Sequence, residues 1–202
     1  MSGGVDSSVT AALLKERGFD VRGIHMKMWS PSAGTGQTHP VCRQQYQDRL
    51  DAMKVAARLD IPFETWDFAE EYKREVVDYM IREYAAGRTP NPDVMCNRRI
   101  KFGVFLERAL EQGADFVATG HYIKLVVSSK VVSRSAPQLQ TTNYKLLTAR
   151  DGAKDQSYFL WTLTQKRLKH CFFPIGEYIK PEVRELARKF GLPTAEKPDS
   201  QG

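Results

Sequence analysis

Two stretches of this sequence carry side chains whose types and spacing suit chemistry. One is Asn91-Pro92-Asp93-Val94-Met95-Cys96-Asn97, where an aspartate stands three residues before a cysteine. Cysteine reacts as its thiolate. A thiol at a helix N-terminus and close to positive charge has its pKa lowered from about 8.5. Arg98, Arg99 and Lys101 supply charge, and a helix starting near Asn97 would supply the dipole, so Cys96 reads as a nucleophile. Asp93 is spaced to act on the same substrate as an acid or base. The plainer alternative is a half-buried structural cysteine beside a turn aspartate.

The other stretch is the opening, Met1-Ser2-Gly3-Gly4-Val5-Asp6-Ser7-Ser8, which leads into the apolar residues Val9, Ala12 and Leu13. Gly3 and Gly4 permit positive φ angles and close backbone approach, so the turn can offer several N–H groups and hydroxyls to one anion. The helix behind it adds roughly half a positive charge at its start. A phosphate site and a plain polar helix cap both fit. The patterns G-x-x-x-x-G-K-[ST] and G-x-G-x-x-G are absent, which excludes the ordinary phosphate loop and the dinucleotide fingerprint.

The elements that position these groups follow from periodicity and punctuation. Val9–Arg17 reads as a helix stopped by Gly18. Val21–Trp29 reads as a strand and Pro31–Pro40 as a loop. Tyr46, Leu50, Met53 and Ala57 recur at helical spacing. Phe63–Phe68 reads as a strand. Tyr72, Val76, Met80 and Tyr84 mark a long helix whose aromatics are assigned to the core. Arg88–Met95 holds two prolines two residues apart and reads as a loop. A helix is predicted from about Asn97 to Glu111, then a buried strand Phe116–Thr119 running into Gly120-His121. This alternation predicts an α/β fold with a doubly wound parallel sheet.

Beyond it, Ile123–Val127 and Lys130–Val132 read as extended, Ser133–Asn143 as a polar solvent loop, and Tyr144–Leu147 as a returning strand. Ser157–Leu168 is predicted helical. Pro181 and Gly191 bracket a helix carrying Val183, Leu186, Ala187 and Phe190. The chain divides into 1–125, a catalytic nucleotide-binding part; 126–148, an extended excursion; and 149–202, a smaller, mainly helical part.

At 202 residues with a formal net charge of +6, the chain can bury a large core without a staple and favours a polyanionic partner. Cys42, Cys96 and Cys171 lie far apart with no C-x-x-C. That spacing predicts neither a disulfide framework nor a metal site, and suits a reducing, cytoplasmic setting. No apolar run is long enough to span a membrane and no signal peptide is visible. A mitochondrial form stays open as an alternative.

Ser-Gly-Gly-Val-Asp-Ser-Ser resembles the pyrophosphate loop of the ATP pyrophosphatases, which split ATP between the α and β phosphates. NPDVMCN followed by KFG is similar to the signature of the tRNA-specific 2-thiouridylases. So are ATGHY (Ala118–Tyr122), KDQSYFL (Lys154–Leu160), FPIGE with KPEVR (Phe173–Arg184) and DSQG (Asp199–Gly202), in the family's order.

The resemblance implies a sheet of the adenine-nucleotide-hydrolase type. It implies that Met1, Ser2, Gly3, Gly4, Val5, Asp6, Ser7 and Ser8 hold ATP, with magnesium, and that Met26 and Gly120 touch the adenosine. Asn91, Pro92 and Asp93 would meet the target uridine and Cys96 would be the nucleophile. His121, Lys154, Asp155 and Gln156 would contact tRNA. AMP is placed on O2 of the wobble uridine, turning that oxygen into a leaving group, and sulfur from a persulfide donor protein displaces it. A single-stranded anticodon loop lets the base leave its stack.

Two rivals remain at this level. One is another adenylating enzyme of the superfamily, such as an amide-forming synthetase, which would need no cysteine at position 96. The other is an inactive tRNA-binding remnant. In an α/β nucleotide fold a strand precedes the phosphate loop, and here only Met1 does. The reading therefore expects a sheet lacking its first strand, an apolar slot in its place, and a fragment that ends before the family's second cysteine. Such a fragment should bind ATP weakly and not complete thiolation alone.

Overall fold

The architecture is taken from a computed structural model that describes residues 1–31, 40–131 and 140–199. Most of the loop expected over 31–40, much of the polar insertion, and 200–202 of the DSQG motif lie outside the described residues.

The chain runs α1 (Val5–Glu16), β1 (Gly23–Lys27), α2 (Pro40–Leu59) and β2 (Phe63–Asp67). A single helical rod follows, made of α3 (Ala69–Tyr72), π-type turns over Lys73–Val77, and α4 (Asp78–Ala85). Next come α5 (Pro92–Met95), π-type turns over Cys96–Val104, α6 (Phe105–Glu111), β3 (Val117–Ala118), β4 (Lys124–Val131) and β5 (Gln140–Leu147). A short 3-10 turn (Ser157–Phe159), α7 (Gln165–Leu168), β6 (Cys171–Phe172) and α8 (Lys180–Lys189) complete it.

Several expectations need correction. Arg88–Met95 is not all loop, because Pro92 sits in the first turn of α5, where its missing N–H costs nothing, and Asn91 caps that turn. The helix expected from Asn97 is continuous with α5 and bends at Phe102 and Gly103. The carbonyl of Arg98 then accepts from Arg167 at 2.8 Å. Gln140–Asn143 belongs to a strand paired antiparallel with β4, not to a solvent loop. Ser157–Leu168 is two short turns rather than one helix. On α2 the buried residues are Ala52, Val55 and Ala56, while Tyr46 and Met53 are exposed. In the Tyr72–Tyr84 rod only Val76 is fully buried; Tyr72 is half-buried and packs against an apolar cluster as expected, while Tyr84 is exposed.

Among the described residues the strands form three two-stranded ladders: β1–β2 parallel, β3–β6 parallel and β4–β5 antiparallel. The continuous parallel sheet of the sequence reading is thus seen as two parallel pairs. Both pairs line a cavity of about 640 Å3, whose walls include Ala11, Leu14, Ile24, Trp66, Phe105 and Val117.

Three apolar clusters hold these pieces. Val5, Val9, Ala12 and Leu13 of α1 meet Val183 and Ala187 of α8, with Val55, Tyr122 and Ile175. Ile24 and Trp66 join Val76, Ile100, Leu106 and Val117. Phe102, Ile123, Leu160, Cys171 and Phe173 form the third. Burial of each Val, Leu, Ile or Phe side chain among them is worth about 1.5–3 kcal/mol, so the clusters fix how the loops between them meet.

Candidate functional site

The opening turn sits at the head of α1. Gly4 is its N-cap in extended conformation and makes no side-chain cap. The first N–H groups of a helix, here those of Val5, Asp6 and Ser7, have no acceptor within it. Ser8 Oγ donates to the Gly4 carbonyl at 2.7 Å and Ser7 Oγ to the same oxygen at 3.2 Å. Ser2 Oγ meets Ser7 Oγ at 3.1 Å. These hydroxyls hold the turn's shape.

Gly3 has φ +76° and lies against α2, where any side chain would overlap the Asp48 carbonyl. Gly120, just beyond β3, presses on the turn from the other side. A Cβ there would stand 2.8 Å from the Asp6 carbonyl carbon and the Ser7 nitrogen. The loop is therefore clasped between two backbones that only glycine permits.

Asp6 anchors a network. Its Oδ1 accepts from Tyr122 Oη at 2.8 Å and from Lys180 Nζ at 2.8 Å, and its Oδ2 accepts from Lys180 at 2.9 Å. Burial and the Asp6 carboxylate push the Tyr122 phenol far above its ordinary range. Lys180 also meets Asp199 at 2.9 Å, as do Lys154 at 2.8 Å and Arg184 at 2.7 Å. The hydrogen bond from Lys154, with Lys180 beside it, holds the Asp199 carboxyl well below the usual range.

Gln156 is bound to Tyr122 twice, accepting from its N–H at 3.0 Å and donating its own N–H to its carbonyl at 2.9 Å. Asp155 accepts from the Ala149 N–H at 2.8 Å. Gln156 is thus tied through Tyr122 to Asp6, and Lys154 through Asp199 and Lys180, while Asp155 bonds only local groups, Ala149 N–H and Ser157 Oγ. Sequence reasoning gave no role to Tyr122, Lys180 or Asp199. The available signal was that all three lie in the quoted ATGHY, KPEVR and DSQG motifs.

A second group gathers around α5. Asn91 Oδ1 accepts from the Val94 N–H at 3.0 Å, and Asn97 Nδ2 donates to the Asp93 carbonyl at 3.0 Å. Cys96 lies in the second turn, its N–H already donating to Asp93 and Pro92 carbonyls. It therefore does not sit at the helix mouth, and the expected lowering is reversed: burial pushes its thiol up, with Lys101 pulling weakly the other way. Met26, Tyr72 and Cys96 pack against the same apolar cluster. The Tyr72 phenol is raised by burial and then by Cys96 and Asp93.

His121 is 7% exposed. Its Nδ1 is 2.7 Å from Thr119 Oγ1, and its ring packs on Phe102 and Phe173. Burial, then the charge of Lys101, drives its pKa well down, so the imidazole is neutral. Lys101 thus acts electrically on both Cys96 and His121. Cys171 is buried, donates to the Arg167 carbonyl at 3.2 Å and is pushed up to about 12 by burial. Cys42 pairs with Ser30 Oγ at 2.9 Å.

Among the described residues no three His, Cys, Asp or Glu side chains converge to hold a metal ion. No helix among them is long and apolar enough to cross a membrane.

Comparison with known proteins gives a consistent picture. The family model described as "tRNA methyl transferase HUP domain" matches residues 1–202. The tRNA-specific 2-thiouridylase MnmA of Flavobacterium johnsoniae is 50% identical over 205 residues, covering 100% of this chain and 48% of that protein. The MnmA of Christiangramia forsetii is 52% identical over 202 residues, covering 100% and 48%. That of Lactococcus lactis subsp. lactis is 48% identical, covering 100% and 50%. The chain spans about half the length of the curated relatives it matches.

Proposed function

The chain belongs to the family of tRNA methyl transferase HUP domains, and from that membership we propose that it carries the ATP-using centre of a cytoplasmic tRNA-specific 2-thiouridylase. The observation that carries the reading is the uncapped head of α1 clasped against Gly120. Free N–H groups and a closely approaching backbone suit a polyphosphate. The relatives' name supplies the acceptor, a tRNA uridine.

In this proposal Ser2 to Ser8 take the phosphates of ATP, and Met26 and Gly120 border the adenosine. Magnesium arrives on the phosphates as part of the substrate. Asn91, Pro92 and Asp93 meet the target uridine, with Asp93 taking the proton that base chemistry releases. Lys154 is the member of its triplet best suited to a tRNA phosphate, since it is the cation and stays 42% exposed in its pair with Asp199, whereas Asp155 and Gln156 are engaged with backbone. A direct tRNA contact from His121 requires its strand end to open. In the described arrangement its hydrogen bond supports the turn that carries Gly120.

The uracil C2 carbonyl is a weak electrophile and its oxygen a poor leaving group. Transfer of AMP onto O2 breaks the bond between the α and β phosphates and releases pyrophosphate. The terminal sulfur of a persulfide then attacks C2 and AMP leaves with the oxygen; the Cys96 thiolate next attacks the carrier's inner sulfur, forming a Cys96–carrier disulfide and releasing the base as 2-thiouridine. Breaking the S–S bond takes a soft nucleophile, which gives Cys96 its role. With its pKa raised by burial, the Cys96 thiol is held in its protonated form in the free protein.

The two parallel ladders are read as parts of one doubly wound sheet, with the excursion of β4 and β5 set outside it. Supporting this, both pairs are parallel and line a common cavity. Residues 1–125 then form the nucleotide-binding part, 126–148 the excursion and 149–202 the part that brings Lys154 to the site.

The test is ATP–pyrophosphate exchange by the full chain with and without tRNA. Exchange that depends on tRNA is expected. No exchange with any tRNA, in protein that is folded and binds tRNA, would favour a binding remnant over an enzyme.

A further inference from the structure

After Gln156 the chain runs through a succession of tight turns. The N–H of Phe159 donates to the Gln156 carbonyl at 3.1 Å, that of Leu160 to Ser157 at 3.1 Å, and that of Leu163 to Leu160 at 3.0 Å. In turns closed three residues apart, side chains at i and i+3 share a side. Leu160 and Leu163 take the inner side and are buried in the third apolar cluster. Tyr158 and Trp161 take the outer side, 59% and 74% exposed. Phe159 packs against the same cluster, and the Tyr158 ring lies on it with centroids 4.0 Å apart. Tyr158 is thus held by a neighbouring ring while most of it stays open to solvent. Large aromatic side chains gathered in water mark an interaction site.

The charge around them decides the occupant. From 154 to 170 the sequence carries Lys154, Lys166, Arg167 and Lys169 against one acid, Asp155. The Asp155 carboxylate is engaged by Ala149 N–H and Ser157 Oγ. β5 joins this surface, because the N–H and carbonyl of Tyr144 both bond the Gln165 side chain at 2.8 Å, and β5 adds Lys145. β4 adds Lys124. Three of these cations are answered from elsewhere: Lys124 by Glu177, Lys154 by Asp199 and Arg167 by Glu107. Lys145, Lys166 and Lys169 are exposed and pair with no carboxylate among the described residues. Unanswered ammonium groups beside exposed rings fit a polyanion with flat, unpaired bases, which stack on aromatic side chains while their phosphates meet the lysines. An apolar protein surface would use the rings and leave the lysines unanswered.

Building on the reading of the substrate as tRNA, we propose that Tyr158 and Trp161 form a stacking platform for an unpaired base of that RNA other than the target uridine. Lys166 and Lys169 draw in the adjoining phosphates. A second base held in this way stabilises the opened loop from which the target leaves its stack.

The experiment measures, by fluorescence anisotropy, the binding of a substrate tRNA and of a fully paired RNA duplex. The proteins are the full chain, Trp161→Leu, Tyr158→Leu and Trp161→Phe, with folding checked by circular dichroism. Leucine keeps an apolar side chain and removes the flat ring. Loss of one stacked base should weaken tRNA binding by Trp161→Leu about fivefold or more. Duplex binding should stay within about twofold, because paired bases have no free face to offer. Trp161→Phe should recover most of the loss. The slope of affinity against salt should be unchanged in all three variants, because no phosphate contact is removed. Equal losses for tRNA and duplex, or tRNA binding within about twofold of the unaltered protein in both leucine variants, would overturn the platform. Unchanged tRNA binding with slower sulfur transfer from a donor protein would give the patch to a protein partner instead. If the unaltered protein binds no tRNA, the substrate reading itself falls and takes this proposal with it.

Discussion

A Cβ on Gly120 would stand 2.8 Å from the carbonyl carbon of Asp6. Real Cβ atoms do not come so near to backbone, so the turn after β3 and the head of α1 can touch only because position 120 has no side chain. Gly120→Ala must push the opening loop away, at a cost of about 1–3 kcal/mol for over-packing, and should abolish measurable ATP binding. Gly152→Ala is the control, since nothing lies within 4 Å of its Cβ position. Urea unfolding and nucleotide titration of both variants provide the check. A Gly120→Ala protein as stable and as tight for ATP as Gly152→Ala would contradict the clasp.

The short helix at Pro92 depends on Asn91, whose Oδ1 accepts from the Val94 N–H at 3.0 Å. Asn91→Ala should cost about 1 kcal/mol through loss of the cap. Asn91→Asp keeps the accepting oxygen and should keep the stability, but it loses the amide N–H that the proposed uridine contact would use. Thiolation should therefore fall in both variants while stability falls in only one. Normal 2-thiouridine formation by Asn91→Asp would assign Asn91 to capping alone.

Because burial raises the Cys96 pKa, the thiol is protonated at neutral pH in the free protein. Its alkylation should be slow near pH 7 and climb as pH rises beyond the ordinary thiol range, since only the thiolate reacts. Peptide mapping by mass spectrometry separates Cys96 from Cys42 and Cys171. Rapid alkylation of Cys96 that is flat from pH 6 upward, the mark of a lowered pKa, would restore the helix-mouth reading.

His121 stays neutral in the fold, while in the unfolded chain it titrates near about 6.5. As pH falls below that value the unfolded state takes up the proton first. Stability is therefore fully present above about pH 6.5 and declines below it, by up to about 1.4 kcal/mol per pH unit per proton. His25, also buried and lowered, acts in the same direction, so His121→Gln should make the decline shallower without removing it. An unchanged slope in that variant would mean that His121 is protonated in the folded protein.

What the sequence made legible follows from which signals are local. Helical stripes and glycine stops placed α1 and α8, and the order of motifs singled out Asn91 to Cys96 as the proposed site. The cap at Asn91 was equally local, yet the two prolines masked it, because Pro at the first helical turn and Pro in a loop look alike. The thiol of Cys96 was misjudged because its pKa depends on packing by Ile24, Trp66 and Val76, residues distant in sequence. The Asp6–Lys180 pair joins residues 174 apart, and no periodicity can announce such a contact. The fate of Tyr46 and Met53 on α2 shows the limit of stripes: the neighbour was there for Ala52, Val55 and Ala56 instead.

The central claim is that O2 of a tRNA uridine is adenylated and then expelled by sulfur. The most direct measurement uses tRNA whose target uridine carries oxygen-18 at position 2, incubated with the full protein, ATP and a persulfide donor. Mass spectrometry then follows the label. The account predicts one oxygen-18 in the phosphate of each AMP released and none in the 2-thiouridine product. Thiolated tRNA formed alongside AMP that carries no label would contradict it.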